Sequence, residues 1–249
     1  MNNIAILITT FLRDSLLYKT LQNIVDNLPD NCMVLIADQG YNSEEKEITL
    51  DYYKSLINLE YYRLPFDCGL SYARNYLVNR AVELEIPYCL LSADSIQFTE
   101  KYNFSNIIDL LESDATYGIV GFDLEFSKCP WEYKLNLDNN GFHLIKSNDL
   151  ITYNSIPYKQ VDICRNIFLG KTNTIINLWD DELKLVEHEL SFWTYKKRGF
   201  KVFWTDTIKF KKINNSNNDE YKEYRNRFKD YQKILKQKLN ITNWVNYEK

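Results

Sequence analysis

The sequence predicts an α/β protein built on a doubly wound, mostly parallel sheet, with a helical segment at its C-terminal end. Three observations carry that expectation. Short, β-branched apolar runs alternate with stretches of helical periodicity through the first half of the chain. Carboxylates, Asp38 and Asp94, stand at or just past the ends of two of those runs, where open α/β sheets bind their ligands. A length of 249 residues at 45% hydrophobic content suits one full core with an appendage better than two equal domains.

Taken in order, Ile4 to Thr9 is the first strand. Asp14 or Ser15 then caps a helix with Leu17, Leu21, Ile24 and Leu28 on one face, closed by Pro29. Met33 to Ala37 is a second buried strand, ending at Asp38. A polar helix from about Ser43 and a strand near Glu60 to Leu64 follow. Ser71 caps the next helix, whose Ala73, Leu77, Ala81 and Val82 share a face, and Tyr88 to Leu91 leads to Asp94. A helix around Ile107 to Leu111 precedes the apolar run Tyr117 to Phe122.

From Asp123 to Gln160 this rhythm gives way to aromatic and polar residues, as in an acceptor-binding insertion, a covering loop or a surface meander. A helix ending at Arg198-Gly199 and a last strand, Lys201 to Trp204, complete the domain. Ile213 to Asn218 reads as a linker by composition. The boundaries are therefore 1–212 for the α/β domain and 213–249 for the linker and C-terminal helix. That helix repeats Tyr221, Tyr224, Phe228, Tyr231 and Leu235 at helical spacing among lysines and arginines. Such a face packs on the domain or makes peripheral contact with an anionic membrane.

A net charge of -4 gives no electrostatic footprint for nucleic acid. Five cysteines, odd in number and without a CxxC pair, argue against a disulfide framework or a zinc site and for free thiols. No apolar run reaches the roughly 20 residues of a membrane span. The expected location is the cytoplasm, extending to the inner face of the membrane if the C-terminal helix docks there.

The densest chemistry lies between Trp179 and Trp193. Asp180, Asp181, Glu182, Glu187 and Glu189, with one of only two histidines, lead into a helix. Carboxylates at a helix start are held rigidly and, inside a cleft, can take a proton from a substrate hydroxyl; the same residues also suit a helix N-terminus for stability alone.

Four pieces in this order resemble the GT-A glycosyltransferases of family 2: Leu64 to Asn75, Ser92-Ala93-Asp94-Ser95, Val161 to Leu169, and Trp179 to Phe192. More narrowly, they resemble the β-1,4-N-acetylgalactosaminyltransferase (GM2/GD2 synthase-like) branch and the related domain of fukutin-related protein. The resemblance implies a GT-A fold and inverting transfer of GalNAc or another hexose from a nucleotide-sugar donor to a hydroxyl of a glycan or glycolipid. It places Thr9, Thr10, Arg13, Asp38, Gly69, Arg74, Asn75 and Asp94 on the donor, with Gly69 admitting the backbone close to it. Asp162, Asn166, Phe168, Trp179 and His188 fall on the acceptor side. Where the family has Glu-His-Glu-Asp, this chain has Glu187-His188-Glu189-Leu190, which makes Glu189 the first choice of base and Glu187 the second.

Metal-dependent members carry Asp-x-Asp and a later histidine. Here those positions read Ala93-Asp94-Ser95 and Lys211, so no cofactor is expected to be required; Mn²⁺ or Mg²⁺, where used, would fall to Asp94. Lys211, or its neighbour Lys209, would neutralise the leaving diphosphate in the metal's place. Two other classes fit the same resemblance: a transferase of polyol phosphate from a CDP-linked donor, and an inactive GT-A domain that binds a glycan or a partner.

Overall fold

The computed structural model describes residues 3–126, 131–214 and 218–248. Strands β1 (Ile4–Thr10), β2 (Cys32–Asp38), β3 (Leu59–Arg63) and β4 (Tyr88–Ala93) lie parallel in the order β3-β2-β1-β4. Their crossovers are α1 (Asp14–Asn27), α2 (Glu44–Leu56) and α3 (Leu70–Glu83). Strands covered on both faces need apolar side chains at every position. In β1, Ala5 and Leu7 enter one hydrophobic cluster, whereas Ile4, Ile6 and Ile8 enter the other. Thr10 is paired with Asp38, and Thr9 with Ala93, so Asp38 and Asp94 come out at the same edge of the sheet.

Beyond β4 the sheet becomes mixed. The chain runs through β5 (Ile96–Phe98), α4 (Ser105–Glu112) and β6 (Tyr117–Leu124) into two hairpins. The first joins β7 (Tyr133–Asp138) to β8 (Gly141–Lys146); the second joins β9 (Leu150–Tyr153) to β10 (Ile156–Val161). The stretch expected as a loop or meander is thus mostly strand. Strand β11 (Phe168–Lys171) then inserts antiparallel between β4 and β6. Helix α5 (His188–Lys197) leads to β12 (Lys201–Lys212), parallel to β6 and antiparallel to β10 and β5. The last strand is longer than expected because a register shift between Trp204 and Lys209 lets pairing resume past an irregularity. That extension brings Lys212 opposite Ile96, beside the end of β4.

The C-terminal segment is two helices and a strand, not one helix. Helix α6 (Asp219–Asn226) is capped by Asn218, whose side chain accepts from the Tyr221 N–H and donates to the Leu12 carbonyl. Helix α7 (Phe228–Leu239) follows at once, and β13 (Val245–Glu248) pairs parallel with β8 in a second, three-stranded sheet. The aromatic face turns toward the domain: Leu235 is buried, and Phe228 and Tyr231 pack against the core. Tyr224 meets Phe11 edge-on, and the Arg13 guanidinium lies 4.5 Å from the Tyr221 ring centre.

Local details differ from the expected caps. Helix α1 starts at Asp14 behind Arg13, without a side-chain cap, and α3 starts after Gly69; Ser71 instead donates to the Leu183 carbonyl. Val82 is exposed, and Val78 takes its place on the buried face of α3. Cys32, Cys68, Cys89 and Cys164 are free thiols, while Cys129 and residues 215–217 of the expected linker lie outside the described residues. Among the described residues no helix is long and apolar enough to cross a membrane.

Candidate active site

At the shared edge of β1, β2 and β4, two buried carboxylates organise the loops. Asp38 accepts from the Gly40 N–H at 2.7 Å, and from Lys46 Nζ and the Tyr61 hydroxyl at 2.8 Å each. Asp94 accepts from Thr10 Oγ1 at 2.9 Å, Arg13 Nη2 at 2.5 Å and Arg13 Nε at 3.1 Å. Burial pushes the Asp94 carboxyl up to about 6, against the pull of Arg13. Both side chains are fully enclosed and neither lines a cavity wall. Asp94 fixes Arg13 and Thr10, which do face a cavity, and Asp38 fixes the turn beside Gln39.

That cavity, about 320 Å³, is walled by Thr9, Thr10, Arg13 and Arg74, four of the residues assigned to the donor from the sequence. Gln39, Asp67, Lys184, Lys212 and four residues of α6 and its C-terminal junction also line it, among them Arg225 and Arg227. Two of its cations are spent on one carboxylate, since Asp67 takes Lys184 at 3.0 Å and Arg227 at 2.7 Å. Lys212 and Arg225 have no carboxylate partner among the described residues. Lys211, assigned to the diphosphate from the sequence, is exposed and lines neither cavity; Lys212, exposed as well, lines both. Gly69 lies on the wall with φ +102°, yet the close approach it permits is to Lys184: a Cβ there would stand 2.9 Å from the Lys184 Cα.

The acidic stretch is a structured loop, with only Glu189 in the first turn of α5. Asn75 donates to the Trp179 carbonyl at 2.7 Å and to Asp181 at 2.8 Å, and accepts from the Trp179 N–H. Lys238 of α7 pairs with Asp180 and Glu182. Asn75, assigned to the donor from the sequence, thus ties α3 to the loop that carries Trp179, which was assigned to the acceptor. Of the other residues assigned to the acceptor, Asp162 holds Lys196 at 2.8 Å and accepts from the Leu135 N–H, and Phe168 is in the core, edge-on to Phe192.

A second cavity, about 480 Å³, opens past this loop and shares Leu70, Arg74, Ala93, Ser95, Lys212 and Arg225 with the first. Asn166, Glu187, His188 and Glu189 line it. The two glutamates have opposite environments. Burial alone would raise Glu187, but Arg74 Nη1 at 2.6 Å outweighs it and holds that carboxyl below its ordinary value. Glu189 has no such cation, and burial, with the Glu187 charge adding to it, pushes it up to about 7. Burial also lowers His188 to about 4, so its imidazole is neutral near pH 7. One carboxylate stays charged while the other exchanges a proton near neutrality, the separation that acid–base chemistry uses.

A divalent ion fits these residues poorly. The strand-end carboxylate is enclosed and occupied by a guanidinium, and its neighbours on the cavity wall, Ala93 and Ser95, supply at most a hydroxyl. Among the described residues no three histidine, cysteine, aspartate or glutamate side chains converge as a metal site.

A parallel α/β half-sheet, a cationic cavity at its carboxyl edge and an adjoining cavity with a buried carboxylate define a GT-A-type domain. The chain belongs to glycosyl transferase family 2, whose model matches residues 5–175. A search of curated proteins found no match. Among solved structures, the chain is similar to the mannosyltransferase PcManGT from Pyrobaculum calidifontis in complex with GDP-Man and Mn²⁺. That match has a TM-score of 0.64 at 10% identity, covering 94% of this chain and 64% of the other. Residues 1–349 of TarS from S. aureus, in complex with UDP-GlcNAc, give 0.65 at 12%, covering 94% and 65%. GalNAc-T7 with UDP, GalNAc and Mn²⁺ gives 0.66 at 13%, covering 97% and 53%. At these identities the likeness is one of fold, and the chain spans roughly half to two thirds of each of these three structures.

Sequence reasoning missed Lys212, Arg225 and Arg227. The signal for Lys212 was present in the alternation Ile208, Phe210 against Lys209, Lys211, which marks a continuing strand. The two arginines carried none, because nothing local says that α6 folds back over β1.

Proposed function

We propose that the chain transfers a hexose, GalNAc among the candidates, from a nucleotide-sugar to a hydroxyl of a glycan or glycolipid acceptor, with inversion. The observation that carries this reading is the shared rim of the two cavities: Lys212 and Arg225, which have no carboxylate partner among the described residues, lie there, with the poised Glu189 on the acceptor side. In the transfer, the acceptor oxygen attacks the anomeric carbon as the bond from that carbon to the diphosphate oxygen breaks. The acceptor proton passes to Glu189, and the departing electron pair stays on the diphosphate. Lys212 and Arg225 receive that charge, since stabilisation requires positive charge already in place. Glu187 stays ionised against Arg74 and fixes the wall that the two cavities share. Residues 1–212 supply the transferase fold, and Tyr221 to Trp244 of the C-terminal segment contribute walls to its cavities.

The test is product analysis with a panel of UDP-, GDP- and CDP-sugars, before and after exhaustive EDTA treatment. Hexose transfer that survives EDTA is expected. Transfer of a polyol phosphate from a CDP-linked donor, or nucleotide binding with no turnover on any acceptor, would replace the reading.

A further inference from the structure

Strand β2 ends at Asp38, and Gln39 follows it; the two meet the first cavity differently. Asp38 is fully enclosed and on neither cavity wall, whereas Gln39, 4% exposed, lines the first. All but one of the polar groups of Gln39 are spent on holding it in place. Its N–H donates to the Thr10 carbonyl at 3.1 Å, its carbonyl accepts from the Asp67 N–H at 3.1 Å, and Oε1 accepts from the Gly69 N–H at 2.7 Å. That last bond fixes which way the amide points. A backbone N–H only donates, so the side-chain atom facing Gly69 is the oxygen and the other arm is the NH₂ group. Nε2 has no partner among the described residues, yet it is not one of the side-chain atoms sealed from solvent. In a residue so enclosed, the open atom looks into the cavity that the residue lines.

The two parts of this cavity differ in charge. Lys212 and Arg225 lie on the rim shared with the second cavity, where the transfer reading puts the diphosphate. Thr9, Phe11 and Gln39 line the first cavity alone, away from that rim, and the cations on the same part of the wall, Arg13, Lys184 and Arg227, are each paired with Asp94 or Asp67. An uncharged stretch with an aromatic ring and a few polar groups suits a base. Bases differ in hydrogen-bond sign at one atom of the edge they present: N3 of cytosine accepts, whereas N3–H of uracil and N1–H of guanine donate. The Thr9 hydroxyl rotates to suit either sign. The Gln39 amide does not, because turning it over would set its NH₂ against the Gly69 N–H.

We infer that the donor is a cytidine diphosphate sugar, with N3 of the base accepting from Gln39 Nε2. Uracil or guanine would bring an N–H against that amide and leave two enclosed donors unpaired, which is how a site built around one hydrogen bond rejects an analogue. The inference rests on the transfer reading for the place of the diphosphate and goes beyond it in naming the base.

Calorimetric titration of the full chain with CDP, UDP and GDP reads the preference. CDP should bind about tenfold tighter than either, or more, as one hydrogen bond of the wrong sign requires. CDP with N3 replaced by C–H keeps the ring and loses the acceptor, so it should bind about tenfold more weakly than CDP. Gln39→Glu gives one oxygen to the Gly69 N–H and turns the other toward the base, and the ratio of CDP to UDP affinity should invert; taking the ratio cancels any general effect of the added charge. The altered ligand needs only the wild-type chain, so the test holds even if the variant does not fold. UDP or GDP binding as tightly as CDP, no loss with the altered ligand, a CDP preference that survives in folded Gln39→Glu, or no nucleotide bound at all would overturn the inference. A CDP preference without hexose transfer from any CDP-sugar removes the transfer reading and leaves the base assignment standing; hexose transfer from a UDP- or GDP-sugar does the reverse.

Discussion

Glu189 sets two pH dependences of opposite sign. Its carboxyl ionises near 7 instead of the ordinary 4.5 because burial penalises the charge. A base must be ionised to accept a proton, so transfer should rise with pH. With that value, roughly 0.1 of the enzyme is competent at pH 6 and about 0.9 at pH 8, a difference of about ninefold in kcat. Stability runs the other way. A folded-state pKa above the unfolded one contributes stability that is fully present below pH 4.5 and is lost as pH rises through 7. The shift from 4.5 to about 7 corresponds to about 3 kcal/mol. Glu189→Gln keeps the shape and carries no charge, so it should lose about 10²- to 10⁴-fold in turnover and yet unfold at higher denaturant than wild type at pH 8. The assays are initial rates from pH 5.5 to 8.5 and urea unfolding of both proteins at pH 5 and 8. A flat rate profile, with Glu189→Gln less stable than wild type at pH 8, would refute the reasoning.

Other residues give sharper local tests. Lys212→Ala and Arg225→Ala should each weaken nucleoside diphosphate binding about tenfold or more by calorimetry, whereas Lys211→Ala should change it little, because only the first two line the cavity. Asp38→Ala removes one of the two carboxylates on Lys46, whose side chain is 1% exposed, and leaves it Asp14 and the Tyr41 carbonyl; a loss of about 1–3 kcal/mol in urea unfolding is expected. Gly118→Ala drives a methyl into the Tyr195 hydroxyl that bonds Thr174, and should lower stability by about 1–3 kcal/mol, read by thermal unfolding.

The parallel half of the fold was legible because its signals are local. Apolar runs such as Ile4 to Ile8 and Met33 to Ala37 name buried strands, and Asp38 marks a strand end wherever the strand lies. What each carboxylate touches was not legible. Asp38 and Asp94 look like ligands in sequence, but Lys46 and Arg13 reach them first, and the distance from Arg13 to Asp94 along the chain hides the pairing. The same limit explains Asn75, which grips a loop more than a hundred residues away. Glu187 and Glu189 were found together, but their division of labour depends on Arg74, a residue on another helix. The β7–β8 hairpin escaped notice because its sheet is completed by β13, a partner no local window contains.

That pairing has a kinetic consequence. Val245 sits opposite Phe142, so the sheet closes a loop of about a hundred residues in a parallel register. Contacts of such separation form late, after the local βα units have condensed, and they open before the rest of the molecule melts. The β1–β4 half can therefore be native while Trp244 is still away from the second cavity. Amide protons of residues 142–145 and 245–248 should exchange faster than those of β1, and refolding should restore the nucleotide cavity in one phase and the wall that Trp244 gives the second cavity in a slower one.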